Sequence, residues 1–247
     1  MQDYVEILQK YWGYSSFRPL QGDIIASVAS GKDTLGLMPT GGGKSLTFQV
    51  PTMAMDGICI VITPLVALMK DQVANLRQKG IKAAMIYSAM NRNEIIQTFD
   101  NCLYGNYKFL YISPERIATD LFVKRITSLK VCLIAVDESH CISQWGYDFR
   151  PSYLQIVRIR ELLPKVPILA LTATATPEVV DDIQEKLNFS AKNIFKKSFE
   201  RQNLAYVVRH SEDKLSQLLH ILQKVRGSSV VYVRNRKKTK EISDFLN

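Results

Sequence analysis

The sequence has few of the features that mark membrane, metal-rich or disulfide-rich proteins. It contains four cysteines and three histidines among 247 residues. No two cysteines lie two to four positions apart, so we predict neither a zinc site nor a redox pair. The longest apolar runs, such as Ile58–Ile62 and Val131–Val136, fall far short of the ~20 residues of a membrane span. Met1–Trp12 lacks a basic segment before a long apolar stretch, which argues against a signal peptide. We therefore expect a cytoplasmic protein without membrane contact.

Acidic residues are scarce only in the last quarter of the chain. The net charge is +9. Residues 1–190 hold 19 basic and 18 acidic residues, a net of +1, whereas residues 191–247 hold 13 and 5, a net of +8. A basic region favours nucleic acid or another polyanion as partner. Net charge alone does not assign DNA binding to the first 190 residues.

Short apolar runs alternate with amphipathic stretches, and this pattern predicts an α/β fold with a mostly parallel sheet flanked by helices. The runs are Thr34–Met38, Ile58–Thr63, Phe109–Ser113, Val131–Val136, Ile168–Thr172 and Val230–Val233. One intervening helix is expected to end at Gly80 and another to begin at Pro177, which is followed by acidic residues.

A domain boundary is predicted near residues 198–204, giving domains 1–200 and 201–247. The second region has the pattern of a strand (Leu204–Arg209), a helix (Lys214–Val225), a strand (Ser229–Val233) and a helix (Lys237–Leu246). About 45 residues are too few for an independent core. We therefore expect the beginning of a second α/β domain.

A glycine-rich segment follows the first predicted strand and precedes a helix, as a phosphate-binding loop requires. Its candidate nucleotide ligands are Thr40, Gly41, Gly42, Gly43, Lys44 and Ser45. The glycines allow backbone amides to face a phosphate, Lys44 supplies a cation, and Ser45 supplies a hydroxyl for Mg²⁺. The strict pattern has glycine where this chain has Met38, so a simple glycine-rich turn is the alternative.

Two carboxylates follow the buried strand Val131–Val136. Asp137 is the candidate Mg²⁺ ligand, and Glu138 is the candidate base that orients and deprotonates the attacking water. A solvated acidic loop is the alternative. His140 is either structural or, in this context, a link between the nucleotide site and the next domain.

Seven segments, in this order, resemble motifs of the RecQ family of superfamily 2 DNA helicases. They are FRPLQ (Phe17–Gln21), the phosphate loop, TPLVALMKDQ (Thr63–Gln72), ISPERI (Ile112–Ile117), DESH (Asp137–His140) with CISQWGYDFRPSY (Cys141–Tyr153), and ALTATAT (Ala170–Thr176). The resemblance implies a RecA-like P-loop NTPase domain followed by the start of a second one. It also implies ATP and Mg²⁺ as cofactors and 3′-to-5′ unwinding of single-stranded or partly duplex DNA in recombination and repair.

The resemblance further assigns residue roles. Gln21 would read the edge of adenine, with Tyr14 and Arg18 against its ring. The alternative for Tyr14 and Phe17 is that both are ordinary core aromatics.

The segment Gln144–Arg150 resembles the aromatic-rich loop of the family. Its candidate DNA and coupling residues are Gln144, Trp145, Phe149 and Arg150, with His140, Thr172 and Thr174 completing the set. Exposed aromatics beside an arginine can stack on bases of single-stranded DNA. The alternating aromatics leave a half-buried strand as the alternative, whereas Gly146 and Asp148 favour a loop.

Further residues are expected to contact the DNA backbone or to vary within the family. Thr63, Lys70 and Arg116 lie in motifs that the family uses for backbone contacts, which read no base sequence. Ser139 stands where the family commonly has alanine, and Tyr147 where it often has histidine. The basic stretch Arg234–Lys240 either binds DNA backbone or forms an exposed helix face.

The family's later motifs, including an arginine that completes the ATP site, are not found before Asn247. An arginine of this kind contributes roughly 10³–10⁵ in rate, so we expect this chain to bind ATP, hydrolyse it poorly and not unwind DNA alone. The alternatives are a non-catalytic nucleotide- and DNA-binding module and an RNA helicase of the same superfamily. The segment Gln144–Tyr153 disfavours the RNA helicase.

Overall fold

A computed structural model describes residues 1–196 and 204–246. Within them, seven strands form one sheet in the order β3-β4-β2-β5-β6-β1-β7, and every neighbouring pair is parallel. The strands are β1 (Thr34–Leu37), β2 (Ile58–Ile62), β3 (Ala83–Ile86), β4 (Phe109–Ile112), β5 (Val131–Val136), β6 (Ile168–Thr172) and β7 (Ile194–Lys196). The predicted α/β class and parallel sheet are confirmed.

Helices within residues 1–196 cover both faces of this sheet. They are α1 (Gln2–Trp12), α2 (Gln21–Ala29), α3 (Leu46–Ala54), α4 (Val66–Gln78), α5 (Arg92–Tyr104), α6 (Pro114–Ile117), α7 (Asp120–Ile126), α8 (Val157–Leu162) and α9 (Pro177–Lys186). Residues 204–246 contain α10 (Lys214–Lys224) and α11 (Arg236–Leu246). Residues of α2, α3 and α4 pack on one face of the sheet. Residues of α5 to α9 pack on the other face. The sheet is therefore buried on both sides, as its strands of near-continuous apolar residues require.

The predicted helix ends are found where local chemistry sets them. Gly80 has a φ of 76° directly after α4, and its amide donates to the carbonyl of Arg77. Glycine takes this left-handed conformation without the steric cost that a Cβ brings. At the start of α9, the hydroxyl of Thr176 accepts a hydrogen bond from the amide of Val179. Pro177 then occupies the first helical position, where its missing amide hydrogen costs nothing.

Two strands were not predicted from the sequence. β3 consists of Ala83–Ile86, and alanine has a low strand propensity. β7 has three residues and lies at the edge of the sheet beside β1. In both cases the pairing with a neighbouring strand, rather than the local pattern, determines the structure.

Contacts divide the chain into two units, Met1–Phe199 and Glu200–Asn247. The predicted boundary near 198–204 falls almost entirely outside the described residues. In the second unit the two predicted helices are confirmed as α10 and α11. The predicted strands Leu204–Arg209 and Ser229–Val233 are wrong, since residues 204–210 and 228–233 carry no strand. Val208 is 97% exposed and Tyr232 is 90% exposed, so no described strand supplies the hydrogen bonds and burial that a sheet needs. The identity of residues 201–247 as the start of a second RecA-like domain stays a prediction.

Cys59, Cys102 and Cys141 are buried and free, and Cys132 is half-buried and free. None of the described helices combines the length and the apolar character needed to cross a lipid bilayer.

A buried ion pair fastens the beginning of β1 to the rest of the sheet. Asp33, 5% exposed, accepts hydrogen bonds from the guanidinium of Arg160 and from the amide of Ile168, which lies 2.9 Å away. Its second oxygen accepts from the amide and the hydroxyl of Ser190, at 3.0 and 3.2 Å. One carboxylate therefore joins the segments before β1, β6 and β7.

Asp33→Ala is expected to lower the free energy of unfolding by about 3–5 kcal/mol, because the guanidinium of Arg160 is left buried without its counter-charge. Urea unfolding followed by circular dichroism measures the change. Asp56→Ala is the matched control, since Asp56 pairs with Lys130 in solvent, where both side chains are more than two thirds exposed. It is expected to leave the unfolding midpoint unchanged. Equal shifts in the two variants would show that burial of the Asp33 pair contributes nothing.

Candidate nucleotide and nucleic-acid site

The strand order brings the phosphate loop and the DESH segment to the same edge of the sheet. β1 and β5 are separated by β6 alone, and parallel strands end at a common edge. Met38 continues this edge, since its amide donates to the carbonyl of Thr172 at 3.0 Å. Asp137 does the same, with its amide 2.9 Å from the carbonyl of Ile62. Burial and Glu138 raise the pKa of the Asp137 carboxyl, and the charge of Lys44 opposes this rise.

The phosphate loop has the backbone geometry of an anion site. Gly41 and Gly43 have φ values of 76° and 77°. Glycine adopts these left-handed angles without strain, and a Cβ at Gly43, 2.4 Å from Nε2 of Gln21, would push that side chain aside. The amide hydrogens of Gly43, Lys44 and Ser45 find no acceptor among residues 1–196 and 204–246. Free amides at the start of α3, with the ammonium of Lys44 beside them, fit the phosphates of a nucleotide.

A cavity of about 680 Å³ opens in front of this loop. Gly41, Gly43, Lys44 and Ser45 line its centre, while Thr40 lies exposed at the start of the loop. The segment that carries the predicted adenine contacts forms one wall, with Tyr14, Arg18 and Gln21. Gln72 and Asn75 of α4, with Lys79 directly after this helix, also line the cavity. The cavity therefore joins the predicted base and phosphate contacts in one space.

Gln21 does not present free polar atoms to this cavity. Its Oε1 accepts from the amide of Arg18 at 2.8 Å, and its Nε2 donates to the carbonyl of Gly43 at 3.0 Å. Nη1 of Arg18 donates to the carbonyl of Gly41 at 2.6 Å. Both side chains hold the phosphate loop in this conformation. Reading of the adenine edge by Gln21 stays a prediction and requires that one of these bonds breaks.

The two aromatics of this segment differ from each other. Tyr14 is 51% exposed and lines the cavity, so the interpretation of Tyr14 as a core aromatic is wrong. Phe17 is half-buried and packs against the small cluster of Leu8, Ile25 and Val50. Phe17 is therefore part of the packing that supports α1 and α2.

Asp137 is a buried carboxylate with little local compensation. It is 9% exposed, and its Oδ1 accepts one hydrogen bond, from the amide of Glu138 at 3.0 Å. Burial, followed by the charge of Glu138, raises the pKa of Asp137 to about 6, although Lys44 opposes the rise. A carboxylate in this setting, facing the same edge as the hydroxyl of Ser45, fits the oxygen ligands that Mg²⁺ prefers.

Glu138 follows in an uncommon backbone conformation. Its φ of 47° and ψ of 44° are left-handed, which is costly for a residue with a Cβ and often marks a functional site. The hydroxyl of Tyr153 donates to the carbonyl of Asp137 at 2.9 Å and supports the turn from below. Sequence reasoning assigned no role to Tyr153.

His140 connects the carboxylate of Glu138 to the end of β6. Its Nδ1 lies 2.9 Å from the hydroxyl of Thr172 and 3.4 Å from Oε2 of Glu138. Burial lowers the pKa of His140, so the imidazole is neutral at pH 7. Thr172 in turn donates to the carbonyl of Thr174 at 3.1 Å. Thr174 thus contributes its backbone rather than its exposed hydroxyl, and the predicted link of His140 to the next domain stays a prediction.

The aromatic-rich segment is a loop, so the half-buried strand is wrong. Trp145 and Tyr147 are 78% and 77% exposed, Gln144 is exposed, and Phe149 is half-buried. The turn at Gly146 is tight, because a Cβ there would lie 2.8 Å from the carbonyl oxygen of His140. The ring of Tyr147 stacks on that of His140 with centroids 4.6 Å apart and planes 20° apart.

The loop is held at its far end by Arg150. Its guanidinium pairs with Asp148 at 2.9 Å and lies 3.5 Å from the carbonyl of Pro64. The exposed rings of Trp145 and Tyr147 line a mostly apolar groove of about 370 Å³ that extends to Val179. A base could stack in this groove while its strand runs along the surface.

His140, Cys141 and Asp148 form a cluster whose ligand atoms lie within 4.8 Å of one another. Asp148 is already paired with Arg150. Burial raises the pKa of the Cys141 thiol to about 12, whereas metals bind the thiolate. We interpret this cluster as packing that anchors the loop.

The residues predicted to contact the DNA backbone are only partly accessible. Lys70 is exposed, with its Nζ 5.2 Å from the ring centroid of Tyr87. Thr63 is 1% exposed and its hydroxyl has no partner among the residues that the structure describes, so a contact through its side chain is not available. The guanidinium of Arg116 donates to the carbonyls of three residues that follow β3, which are Tyr87, Ser88 and Met90. Arg116 therefore holds the chain after β3.

The sequence did not predict that Gln72, Asn75 and Lys79 line the cavity. Gln72 lies on the apolar face of α4 in the sequence pattern, beside Met69 and Val73. A glutamine among apolar residues of a helix face indicates that its side chain has a polar partner, here the hydroxyl of Tyr111.

Comparisons with known proteins agree with this arrangement. The family described as "DEAD/DEAH box helicase" matches residues 18–183. The ATP-dependent DNA helicase RecQ of Bacillus subtilis is 43% identical over 97% of this chain and 41% of its own length. The RecQ of Haemophilus influenzae is 39% identical over 98% of this chain and 39% of its own length. The chain thus spans about two fifths of the length of these relatives, and the resemblance to RecQ helicases is confirmed.

The fold is also similar to that of solved helicase structures. The DUF1998 helicase MrfA has a TM-score of 0.73 and 15% identity, covering 100% of this chain and 40% of that one. At this identity the likeness concerns the fold alone, and it supports a RecA-like α/β domain. The match to the family over residues 18–183, on a parallel sheet that joins a phosphate loop to a DESH segment, shows that this chain belongs to the DEAD/DEAH box helicases.

Proposed function

We propose that this chain is the ATP-binding motor part of a RecQ-type DNA helicase that moves 3′ to 5′ in DNA recombination and repair, in the cytoplasm or nucleoid. Residues 1–200 form the first RecA-like domain, and 201–247 begin the second. The observation that carries the proposal is the contact between the DESH segment and the aromatic loop. The DESH segment, which emerges at the same sheet edge as the phosphate loop, is hydrogen-bonded through His140 to the end of β6 and stacked through His140 on Tyr147 of the aromatic loop.

Nucleotide binding is assigned to the cavity in front of the phosphate loop. The free amides of Gly43, Lys44 and Ser45 and the ammonium of Lys44 bind the β and γ phosphates. Tyr14 and Arg18 lie against the base, and Gln21 exchanges its bond to the loop for the adenine edge. Ser45 and Asp137 hold Mg²⁺, which supplies charge neutralisation on the phosphate oxygens.

Hydrolysis is assigned to Glu138. Its carboxylate accepts a proton from the water that attacks the γ-phosphorus, and the bond between that phosphorus and the bridging oxygen breaks. The left-handed backbone at Glu138 and the bond from Tyr153 to the preceding carbonyl fix the direction of this side chain. His140 lies 3.4 Å from the same carboxylate. Because His140 also stacks on Tyr147, it links the position of the Glu138 side chain to that of the loop.

DNA binding is assigned to the surface that carries the aromatic loop. Trp145 and Phe149 stack on bases. Gln144 and Arg150 bind the DNA beside these bases, and Lys70 contacts the DNA backbone. Movement of the loop shifts the ring of Tyr147 on His140, and His140 passes the change to Glu138 and Thr172. DNA thereby sets the rate of ATP hydrolysis.

Glu138→Gln is expected to reduce ATP hydrolysis by about 10²–10⁴ and to retain ATP, because an amide cannot accept the proton from water but keeps the shape of the side chain. Retention of a fluorescent ATP analogue and phosphate release measure the two effects. Lys44→Ala is the control, since it is expected to lose nucleotide binding itself. Loss of binding in Glu138→Gln, or unchanged hydrolysis, would contradict the assignment.

Trp145→Ala is expected to remove the stimulation of ATPase activity by single-stranded DNA while nucleotide affinity stays the same. The lost stacking amounts to about 1–3 kcal/mol per base. Tyr104→Ala is the matched control, because Tyr104 is 80% exposed at the end of α5. DNA and RNA of the same length should be compared. Stimulation that survives in Trp145→Ala rejects the loop as sensor, and equal stimulation by RNA favours an RNA helicase.

Binding of Mg²⁺ with nucleotide is expected to weaken below pH 6. Asp137 has a raised pKa of about 6, so its carboxyl gains a proton as the pH falls through that value and must lose it to bind a cation. At pH 5 the affinity should be about tenfold below its value at pH 8. Titration of Mg²⁺ against a bound fluorescent nucleotide measures this, and Asp137→Asn should flatten the profile. A flat profile in the unaltered protein would show that Asp137 is not the ligand.

A further inference from the structure

Three polar side chains beside the nucleotide cavity are hydrogen-bonded in series, with Gln49 and Tyr111 buried and Gln72 half-buried. Nε2 of Gln49 donates to the hydroxyl of Tyr111 at 3.4 Å, and that hydroxyl donates to Oε1 of Gln72 at 2.8 Å. Tyr111 is fully buried in β4, and Gln49 is 6% exposed. Burial raises the pKa of Tyr111, so the hydroxyl keeps its proton and can donate.

Gln49 and Gln72, at the two ends of this hydrogen-bonded series, belong to helices with different proposed functions. Gln49 lies one turn after Ser45, and its amide donates to the carbonyl of Ser45 at 3.0 Å. Gln72 lies on α4, two positions after the exposed Lys70. Both glutamines also line the nucleotide cavity. Tyr111 is therefore the bridge between the helix that begins at the phosphate loop and the helix that carries a candidate DNA contact.

Simple filling of the core does not explain these residue types. A phenylalanine at position 111 and a leucine at position 72 would fill the same space without placing a hydroxyl and an amide against the core. Burying polar groups costs stability unless each is hydrogen-bonded, and a half-satisfied set is worse than an apolar one. A ligand that draws either glutamine toward the cavity has to break a bond to Tyr111. The arrangement thus makes the position of α4 sensitive to what occupies the cavity.

We propose that Tyr111 is a positioning residue that couples nucleotide binding to DNA binding by joining Gln49 to Gln72. Nucleotide in the cavity changes the bonding of the two glutamines, Tyr111 carries the change to α4, and α4 shifts the presentation of Lys70. The proposal rests on the proposed function, and it adds a route separate from the aromatic loop.

Tyr111→Phe tests this coupling. The affinity for a labelled single-stranded oligonucleotide is measured by fluorescence anisotropy with and without an ATP analogue that cannot be hydrolysed. In the unaltered protein the analogue is expected to change the DNA affinity by about fivefold or more. In Tyr111→Phe the ratio should fall to within about twofold of one. The reciprocal effect of DNA on analogue affinity should fall equally, because coupling of two binding equilibria is symmetric.

Two further variants separate positioning from stability. Tyr104→Phe removes an exposed hydroxyl and should keep the ratio of the unaltered protein. Tyr111→Phe combined with Gln72→Leu replaces both partners of the shorter bond by apolar groups and should recover thermal stability. If Tyr111 were merely structural, this double variant would also recover the coupling, whereas the proposal expects the coupling to stay lost.

The outcomes distinguish this inference from the proposed function. If Tyr111→Phe binds the analogue and DNA and keeps the ratio of DNA affinities with and without the analogue, the role of Tyr111 alone is overturned. A ratio of one in the unaltered protein also overturns that role. A protein that binds neither ligand overturns the proposed function and this inference together.

Discussion

The position of β6 between β1 and β5 is the constraint on which the candidate site depends. Because all three strands are parallel, the phosphate loop, Thr172 and Asp137 emerge at one edge of the sheet. The spacing across that edge is held from the opposite end, where Asp33 binds Arg160 and the amide of Ile168. A shift of β6 against β1 would move Thr172 away from His140. The sheet therefore fixes the relative positions of the strand ends from which the phosphate loop and Asp137 emerge.

The electrostatics of Asp137 show which effect dominates at this edge. Burial and the neighbouring Glu138 raise its pKa to about 6, so together they outweigh the attraction of Lys44. The rise above the ordinary value of 3.8 corresponds to about 3 kcal/mol that disfavours the charged form. A divalent cation supplies the counter-charge that the protein side chains do not. The amide hydrogen bond that Asp137 accepts and the left-handed backbone of Glu138 set the directions of both side chains.

The sequence predicts the parallel sheet and the candidate site because strong local patterns coincide with the strand ends. The phosphate loop, the DESH segment and the loop character of Gln144–Arg150 all follow from residue types with narrow conformational or chemical uses. Side-chain partners do not follow in this way. Nothing local indicates that Gln21 bonds the phosphate loop, that Arg116 holds three carbonyls, or that Thr63 is buried. Apolar residues at 204–209 and 229–233 predicted strands, but a strand exists only where a neighbour supplies its hydrogen bonds.

The two proposed routes from the nucleotide site to the candidate DNA surface depend on different interactions, ring stacking in one and a hydrogen bond in the other. The first runs through His140 to Tyr147, where stacking of two flat rings tolerates sliding and responds gradually to movement of the loop. The second runs through Tyr111, where a directional hydrogen bond of 2.8 Å is either made or broken. A stacked contact suits a sensor of DNA, which meets many base sequences. A buried hydrogen bond suits a sensor of nucleotide, which has to distinguish two discrete states, because in a close-packed interior an intermediate geometry leaves polar groups unpaired.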